Sequence, residues 1–343
     1  MSGLSPDPVT HALSGAPARF AGGLREVAPR TWAWLQPNGG LGESNAGLVV
    51  GDGEALLVDT LWDERLTRRM LDAMAPLLAE APLRRAFVTH PDGDHWWDGA
   101  ALPSDVEICA TAACDRAMRA EAPPRVLHGM TATAGALRRA PGRTGAVARR
   151  VHGQLAPFAW RGARLRFADR RIDGGATLDV GGRPLRVLDL GPTHSPADAV
   201  VHVPDAGVVL AADLLFVGVT PIMWHGPVET WLDALETLLA LDADVYVPGH
   251  GPPCGRAEIE RLDAYWRWLR DGVAGQRAAG RTVGEAARAL LRSPEHARFA
   301  DWLNPERILV NVATMYRAAG ELTPPARARL LLQMNALGAE LER

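Results

Sequence analysis

Histidine and aspartate cluster in one short run of this sequence and recur singly at three later positions. The candidate metal ligands are His90, Asp92, Asp94, His95, His194, Asp213 and His250. Imidazole and carboxylate groups together suit Zn, Fe or Mn, and no cysteine stands among them, which excludes a closed, purely structural zinc site. The residue types therefore predict a metal centre that does chemistry.

Seven ligands are enough for two ions. Neighbouring residues of the 90–95 loop point in different directions, so Asp94 and His95 can bind one ion while other members of the loop bind a second. Three carboxylates and four neutral imidazoles leave two divalent ions with a net charge of about +1. Such a pair activates water for hydrolysis. We expect a hydrolase with a water-derived nucleophile, in which Asp94 and Asp213 belong to the catalytic group.

The same loop also fits the start of a calcium-binding EF-hand. Asp92, Asp94 and Asp98 have the spacing of the first acidic positions of such a loop. However, the third acidic slot holds Trp96, and the twelfth position, where a glutamate is needed, holds Pro103. The sequence therefore favours a transition-metal site over a calcium site.

The elements that position these residues alternate between strand and helix. Residues 1–45 indicate an irregular lead-in with one strand near Thr31–Leu35, and AGLVV, GDGE and ALLVDT form a hairpin pattern. A helix is predicted over 63–80, followed by the strand RAFVTH and by helical sequence to about residue 150. Each candidate ligand stands at the end of a predicted strand, where residues distant in sequence can meet.

The second half of the chain repeats this logic. The predicted strands are RLRFA, ATLDV, GGRPLRVLDL, DAVVHV and GVVLAAD, then VYVPGH after a helix over 229–241. The remaining sequence has helical periodicity that is interrupted at SPEH, NPER and TPPA. We expect one α/β catalytic domain over 46–255, with a helical extension over 256–343 packed on the same domain.

The motifs DT, HPDGDH, GPTH, AAD and PGHGP, in this order, resemble the five-motif series of the metallo-β-lactamase superfamily. The resemblance spans about residues 46–253 and implies an αββα sandwich with one or two ions between its sheets. It assigns the first ion to His90, Asp92 and His194, the second to Asp94, His95 and His250, and the bridging position to Asp213. It gives Asp59 a supporting role beside the metal.

The resemblance departs from the common pattern at Asp92, where the family more often has histidine. A carboxylate is a harder, anionic ligand with a shorter reach than imidazole. Superfamily branches with an acidic residue at this position include iron proteins. The expected cofactor is therefore two divalent ions, with Zn as the first choice and Fe or Mn as alternatives.

A longer resemblance covers residues 213–254 and WLNPERILVNVATMYRA in the tail. These segments are similar to a bacterial subgroup that includes cyclase and thioesterase proteins of aromatic polyketide pathways. This implies an acyl-thioester or other small-molecule substrate, which a carrier protein can hold. The candidate substrate contacts are Trp96, Trp97, Trp224, Tyr316 and Arg317, for which packing is the alternative role. His225 is a candidate proton donor, or a loop residue without a catalytic role.

Composition excludes several other classes. The net charge is −3 and no basic stripe with interleaved aromatics occurs, so we expect no nucleic-acid partner. The chain contains no lysine, which excludes Schiff-base chemistry. No apolar run is long enough to span a membrane and the start lacks a signal-peptide pattern, so we expect a cytoplasmic protein. Another ester class (lactone, glutathione thioester or sulfate ester) and a metal-free binding module remain as alternative functions.

Overall fold

The computed structural model describes residues 9–173, 175–320 and 327–342. Its first sheet is antiparallel through its first five strands and parallel beyond them. In spatial order its strands are β1 (Val9–His11), β2 (Pro17–Ala28), β3 (Thr31–Leu35), β4 (Ala46–Val50), β5 (Ala55–Val58), β6 (Leu83–Val88), β7 (Glu107–Thr111) and β8 (Arg170–Ile172).

The second sheet faces the first. Its strands are β9 (Thr177–Val180), β10 (Arg183–Asp189), β11 (Ala199–Val203), β12 (Val208–Phe216) and β13 (Val245–His250). They pair in the order β13-β12-β11-β10-β9, and the β12–β13 pair is parallel while the others are antiparallel.

Helices cover the outer faces of both sheets. They are α1 (Glu64–Glu80), α2 (Ala112–Ala120), α3 (Pro124–Leu137), α4 (Gly142–Leu155), α5 (Val228–Leu239), α6 (Arg256–Ala278), α7 (Val283–Leu291), α8 (Ile308–Ala318) and α9 (Arg327–Leu341). No helix in the described ranges is both long and apolar enough to cross a bilayer. The expected α/β class and αββα sandwich are confirmed.

Alternation along the strands explains the three apolar layers. Within β4, Leu48 packs outward with the helices of the first half, whereas Val49 packs inward against the second sheet. Because both faces of such a strand are covered, its sequence is a continuous apolar run. A third cluster joins β12 to α5, α6 and the later helices, so the tail packs on the second sheet. The ligand loops emerge at one edge of this sandwich.

Two predictions about strands are wrong. The lead-in contains β1 and β2 as well as β3, and the side chains of β2 do not reveal it, because Pro17, two adjacent glycines and the absence of regular apolar alternation hide a strand that backbone pairing with β3 holds. RLRFA forms no strand, since Arg166 donates instead to the carbonyls of Pro103 and Val106 and Phe167 packs on Trp96. The TPPA interruption lies outside the described residues.

Candidate metal centre

Strand ends and one irregular strand position the candidate ligands. His90 and the 90–95 loop follow β6, His194 lies between β10 and β11, and His250 ends β13. Asp213 differs from the prediction, because it lies inside β12 and not at its end. There the pairing of β12 with β13 shifts register around Ala212, which has a positive φ of 44°.

A glycine makes room for Asp213. A side chain at Gly249 would collide with Oδ1 of Asp213, so the PGHGP motif needs a residue without Cβ at this position. The ring of the next residue, His250, stacks on Phe216 at a centroid distance of 5.1 Å. The close approach of the Gly249 backbone to Asp213 and the stacking of the His250 ring on Phe216 together hold Asp213 and His250 side by side.

Three imidazoles are oriented through their Nδ1 atoms. Nδ1 of His95 donates to Oδ2 of Asp59 (2.9 Å), and Nδ1 of His194 donates to the carbonyl of Ile222 (2.7 Å). Thr89 Oγ1 donates to Oδ2 of Asp59 (2.7 Å), so its oxygen is left to accept from Nδ1 of His90 (2.9 Å). These bonds fix the tautomers and leave the Nε2 lone pairs facing the centre.

Asp213 lies in the middle of four Nε2 atoms. Its Oδ1 is 3.2 Å from Nε2 of His95, while its Oδ2 is 3.2 Å from Nε2 of His194, 3.5 Å from that of His250 and 3.9 Å from that of His90. Ligands of a tetrahedral zinc ion are about 3.3 Å apart, given bonds of about 2.0 Å. The spacing therefore fits shared coordination around this carboxylate.

Two groups of three side chains could each hold an ion. One consists of His90, Asp92 and His194, and the other of Asp94, His95 and His250, with ligand atoms within 4.8 Å of one another in each group. Nε2 of His90, Nε2 of His95 and Oδ1 of Asp213 are buried and form no hydrogen bond within the described chain. Buried polar atoms without partners are costly unless a ligand satisfies them, so the donor set fits divalent metal.

Asp59 forms a third possible group with His90 and His95. Its oxygens are already used, because Oδ1 accepts from the Thr89 amide (2.8 Å) and Oδ2 from the Thr89 hydroxyl and from His95. Asp59 contacts the Nδ1 side of the ring and not the Nε2 side. This geometry suits a residue that orients the metal ligands better than one that binds the metal itself.

Asp92 is held from two sides. Its Oδ2 lies 3.0 Å from Nε2 of His194, and its Oδ1 accepts a 2.8 Å hydrogen bond from Nη2 of Arg327 on α9. Burial alone would raise the pKa of Asp92, but Arg327 and His194 outweigh it and lower the pKa. Asp92 is therefore an anion that presents one oxygen to the candidate metal site.

Negative charge is in excess at the centre. Burial opposes protonation of His95 and His194, yet Asp213 together with Asp59 raises the pKa of His95, and Asp213 together with Asp92 raises that of His194 to about 9. Burial raises the pKa of Asp94, whose Oδ2 lies 3.6 Å from Nε2 of His250. A site that favours positive charge in this way attracts a cation.

A mostly apolar cavity of 270 Å³ adjoins the site and includes Asp92 and Asp94 in its wall. Of the five candidate substrate contacts, Trp97 and Trp224 line this cavity. Trp96 is buried behind it against Phe167, and Tyr316 is buried in the tail core, where its hydroxyl donates to the Arg281 carbonyl.

The remaining candidate substrate contact, Arg317, lies beside the 224–225 loop, and the candidate proton donor, His225, lies on it. Arg317 donates to the carbonyls of Trp224 and His225 (2.8 Å each), so it shapes the loop that bears Trp224. His225 is exposed, and partial burial together with the nearby Arg317 lowers its pKa. The ring is therefore neutral near pH 7.

Sequence reasoning missed Glu121 and Arg327. Glu121 accepts from the indole N–H groups of Trp96 (3.2 Å) and Trp97 (3.1 Å) and from the Gly93 amide (3.2 Å), which fixes the ligand loop from behind. Burial, followed by Asp92, raises the pKa of Glu121 to about 8. Neither residue lies in a motif, and no pattern in the sequence singles them out.

An αββα sandwich with clustered imidazole and carboxylate ligands at one edge is the architecture of a metal-dependent hydrolase. Residues 39–250 match the model of the metallo-beta-lactamase superfamily. The chain therefore belongs to this superfamily.

One curated relative is the 2,4-dinitroanisole O-demethylase subunit alpha of Nocardioides sp. (strain JS1661), which is 25% identical over 225 residues. That alignment covers 64% of this chain and 56% of the relative. The chain thus spans little more than half the length of the curated relative it matches.

Solved structures support the fold. The sec-alkylsulfatase Pisa1 from Pseudomonas sp. superposes with a TM-score of 0.69 at 16% identity, over 96% of this chain and 60% of that one. A metallo-beta-lactamase family protein from Thermus thermophilus gives a TM-score of 0.58 at 22% identity, over 88% and 98% of the two chains. At these identities the likeness concerns the fold alone.

Proposed function

We propose that this protein is a dinuclear metallohydrolase that cleaves an acyl ester or thioester with a nucleophile derived from water. The observation that supports this most is the convergence of four imidazole Nε2 atoms on the single carboxylate of Asp213. Two three-residue groups around one shared anion suit two ions better than one.

The residues divide into two sets in this proposal. His90, Asp92 and His194 would hold the first ion, and Asp94, His95 and His250 would hold the second. Asp213 would be shared between the two groups. Bound divalent ions supply Lewis acidity and lower the pKa of water toward neutrality. We propose Zn as the metal, with Fe or Mn as alternatives because Asp92 is a harder ligand than histidine.

The cavity favours a neutral, apolar acyl group. Trp97 and Trp224 provide flat walls, while Leu127, Met130 and Leu331 close the remaining sides. The guanidinium of Arg327 is already paired with Asp92, so it offers little to an anionic substrate such as a sulfate ester. An aromatic polyketide-type thioester, free or on a carrier protein, is the substrate class that we propose first.

His225 is the proton donor that we propose for the leaving group. It follows Trp224, which lines the cavity, and Arg317 holds the carbonyls of both residues. Because the ring is neutral near pH 7, it would first accept the proton that the water nucleophile loses and then donate that proton to the leaving group. We expect His225→Ala to lower kcat by about 10²-fold, as loss of a general acid does. An unchanged kcat would refute the assignment.

Aryl ether cleavage is a second candidate. The curated relative is named as an O-demethylase subunit that acts on 2,4-dinitroanisole. A nitroaryl methyl ether is compact and neutral, so the mostly apolar cavity can hold it. The same ligands and the same water-derived nucleophile would serve this reaction.

A substrate panel separates these proposals. The purified protein, quantified for bound metal, is incubated with 4-nitrophenyl esters, N-acetylcysteamine thioesters, a γ-lactone, S-lactoylglutathione, a secondary alkyl sulfate and 2,4-dinitroanisole. We expect two ions per chain and turnover of esters or thioesters that chelation abolishes. Turnover of dinitroanisole alone would favour the second candidate. Absence of bound transition metal after reconstitution would overturn both in favour of a binding module.

A further inference from the structure

A second cavity lies beside the first, between α3, α4 and α9. We call it the α3 groove. Its volume is 660 Å³, and it is lined by Val126, Gly129, Met130, Thr133, Ala134, Leu137, Arg143, Thr144, Val147, Ala148, Val151 and Leu332. Its walls come from the helical layer over the first sheet and from the tail helix α9. None of the seven candidate ligands lines it.

The α3 groove adjoins the cavity at the metal centre. Val126 and Met130 line both, one helical turn apart on the same face of α3. On α9, Leu331 faces the cavity and its neighbour Leu332 lines the groove. From Val126 to Leu137 the groove follows α3 for about 16 Å, away from the metal ligands.

The groove gathers most of the exposed large apolar side chains of the described residues. Four large apolar side chains of the described ranges are strongly exposed, and three of them line the groove: Val126 (38%), Leu137 (43%) and Leu332 (47%). Its one charged residue, Arg143, pairs with Glu340 at 3.1 Å. An exposed apolar strip of this kind indicates a binding surface for hydrocarbon.

We propose that the α3 groove binds the hydrocarbon tail of the substrate while the scissile acyl group lies in the cavity at the metal centre. This inference rests on the proposed hydrolase function, and it adds to the acyl ester or thioester held in the cavity a long apolar chain that lies in the groove. The shared Val126–Met130 wall is the reason to prefer a tail over a second protein copy, because it places the groove directly beside the cavity.

Gly129 offers a direct way to fill the groove. A Cβ added there meets nothing within 4 Å, so a large side chain at this helical position enters open space. Gly129→Trp therefore places an indole in the groove, and Gly129→Ala adds one methyl group. Leu332→Glu gives an independent block from α9. Gly275→Trp is the matched control, since Gly275 is also helical and open but lies on α6, outside both cavities.

The test is a chain-length series of 4-nitrophenyl esters from acetyl to dodecanoyl. In the unaltered protein we expect kcat/KM to rise about fourfold for each methylene that enters the groove. Gly129→Trp and Leu332→Glu should flatten this rise, whereas Gly129→Ala and Gly275→Trp should keep it. A flat series in the unaltered protein, with esters still hydrolysed, would overturn the inference and leave the proposed function standing.

Binding of N-dodecyl dansylamide gives a readout that needs no turnover. We expect its fluorescence on the unaltered protein to be lost in Gly129→Trp and kept in Gly275→Trp. That result without hydrolysis of any ester would support the groove while contradicting the hydrolase. Sedimentation analysis tests whether a second copy of the chain occupies the groove instead. The inference would be overturned by a dimer that Leu332→Glu dissociates, if that variant also keeps the same dependence of kcat/KM on chain length as the unaltered protein.

Discussion

Asp213 and Asp59 are both buried carboxylates beside the same histidines, yet the structure predicts different results on their replacement. Asp213 lies 3.2–3.9 Å from four Nε2 atoms, whereas Asp59 contacts the Nδ1 atom of His95 and the backbone and side chain of Thr89. Asn has nearly the shape of Asp, so Asp213→Asn and Asp59→Asn remove charge with little change in packing.

The magnitudes follow from these positions. Loss of an outer partner of a ligating histidine weakens metal binding by about 10–100-fold, which equals about 1.4–2.7 kcal/mol. For Asp59→Asn we expect the loss of metal affinity to stay within this range, so this variant should keep most of its metal at saturating metal concentrations. Asp213→Asn removes an anionic ligand from both ions at once, so we expect losses above about 100-fold at each position.

The assay is elemental analysis of each variant after equilibration in metal buffers of defined free Zn, combined with competition against a chromophoric chelator. Asp115→Asn is the matched control, because Asp115 is a buried carboxylate that pairs with Arg119 and Arg171, away from the ligands. We expect two ions per chain in the unaltered protein, in this control and in Asp59→Asn, and fewer than one in Asp213→Asn. Equal metal loss in Asp59→Asn and Asp213→Asn would refute the division of roles.

Two further predictions concern stability. Arg327→Met leaves the anion of Asp92 without its partner, so it should lower the free energy of unfolding by about 1–2 kcal/mol in protein stripped of metal by a chelator. The loss should be smaller in metal-loaded protein, because the metal neutralises Asp92. Equal losses in denaturant titrations of both forms would contradict this. Burial raises the pKa of Asp98 to about 7, above the value of about 3.9 in the unfolded chain. Between these two pH values the folded protein binds more protons than the unfolded chain. The free energy of unfolding therefore falls as pH rises from about 4 to 7. Asp98→Asn should therefore raise Tm at pH 8 and flatten the pH dependence of Tm over that window, and an unchanged Tm profile would count against the buried-carboxyl argument.

Local pattern in the sequence was sufficient for most of the sandwich. The runs in β4, β5 and β13 are apolar because both faces are covered, and the periodicity of α1 ends just before Pro82, so each element could be recognised without its neighbours. Strand β2 could not, because its pairing with β3 is a backbone property that its side chains do not reveal.

The sequence by itself determined the chemistry of the ligands and their placement in loops, because imidazole and carboxylate types and the flanking Gly and Pro are local properties. Only the tertiary structure decided which groups surround them. Arg327 reaches Asp92 across 235 residues, and Glu121 fixes Trp96 and Trp97 from a helix end that bears no motif. Such contacts depend on how α9 and α2 pack on the sandwich, and packing is set by the whole core and not by any short stretch of chain.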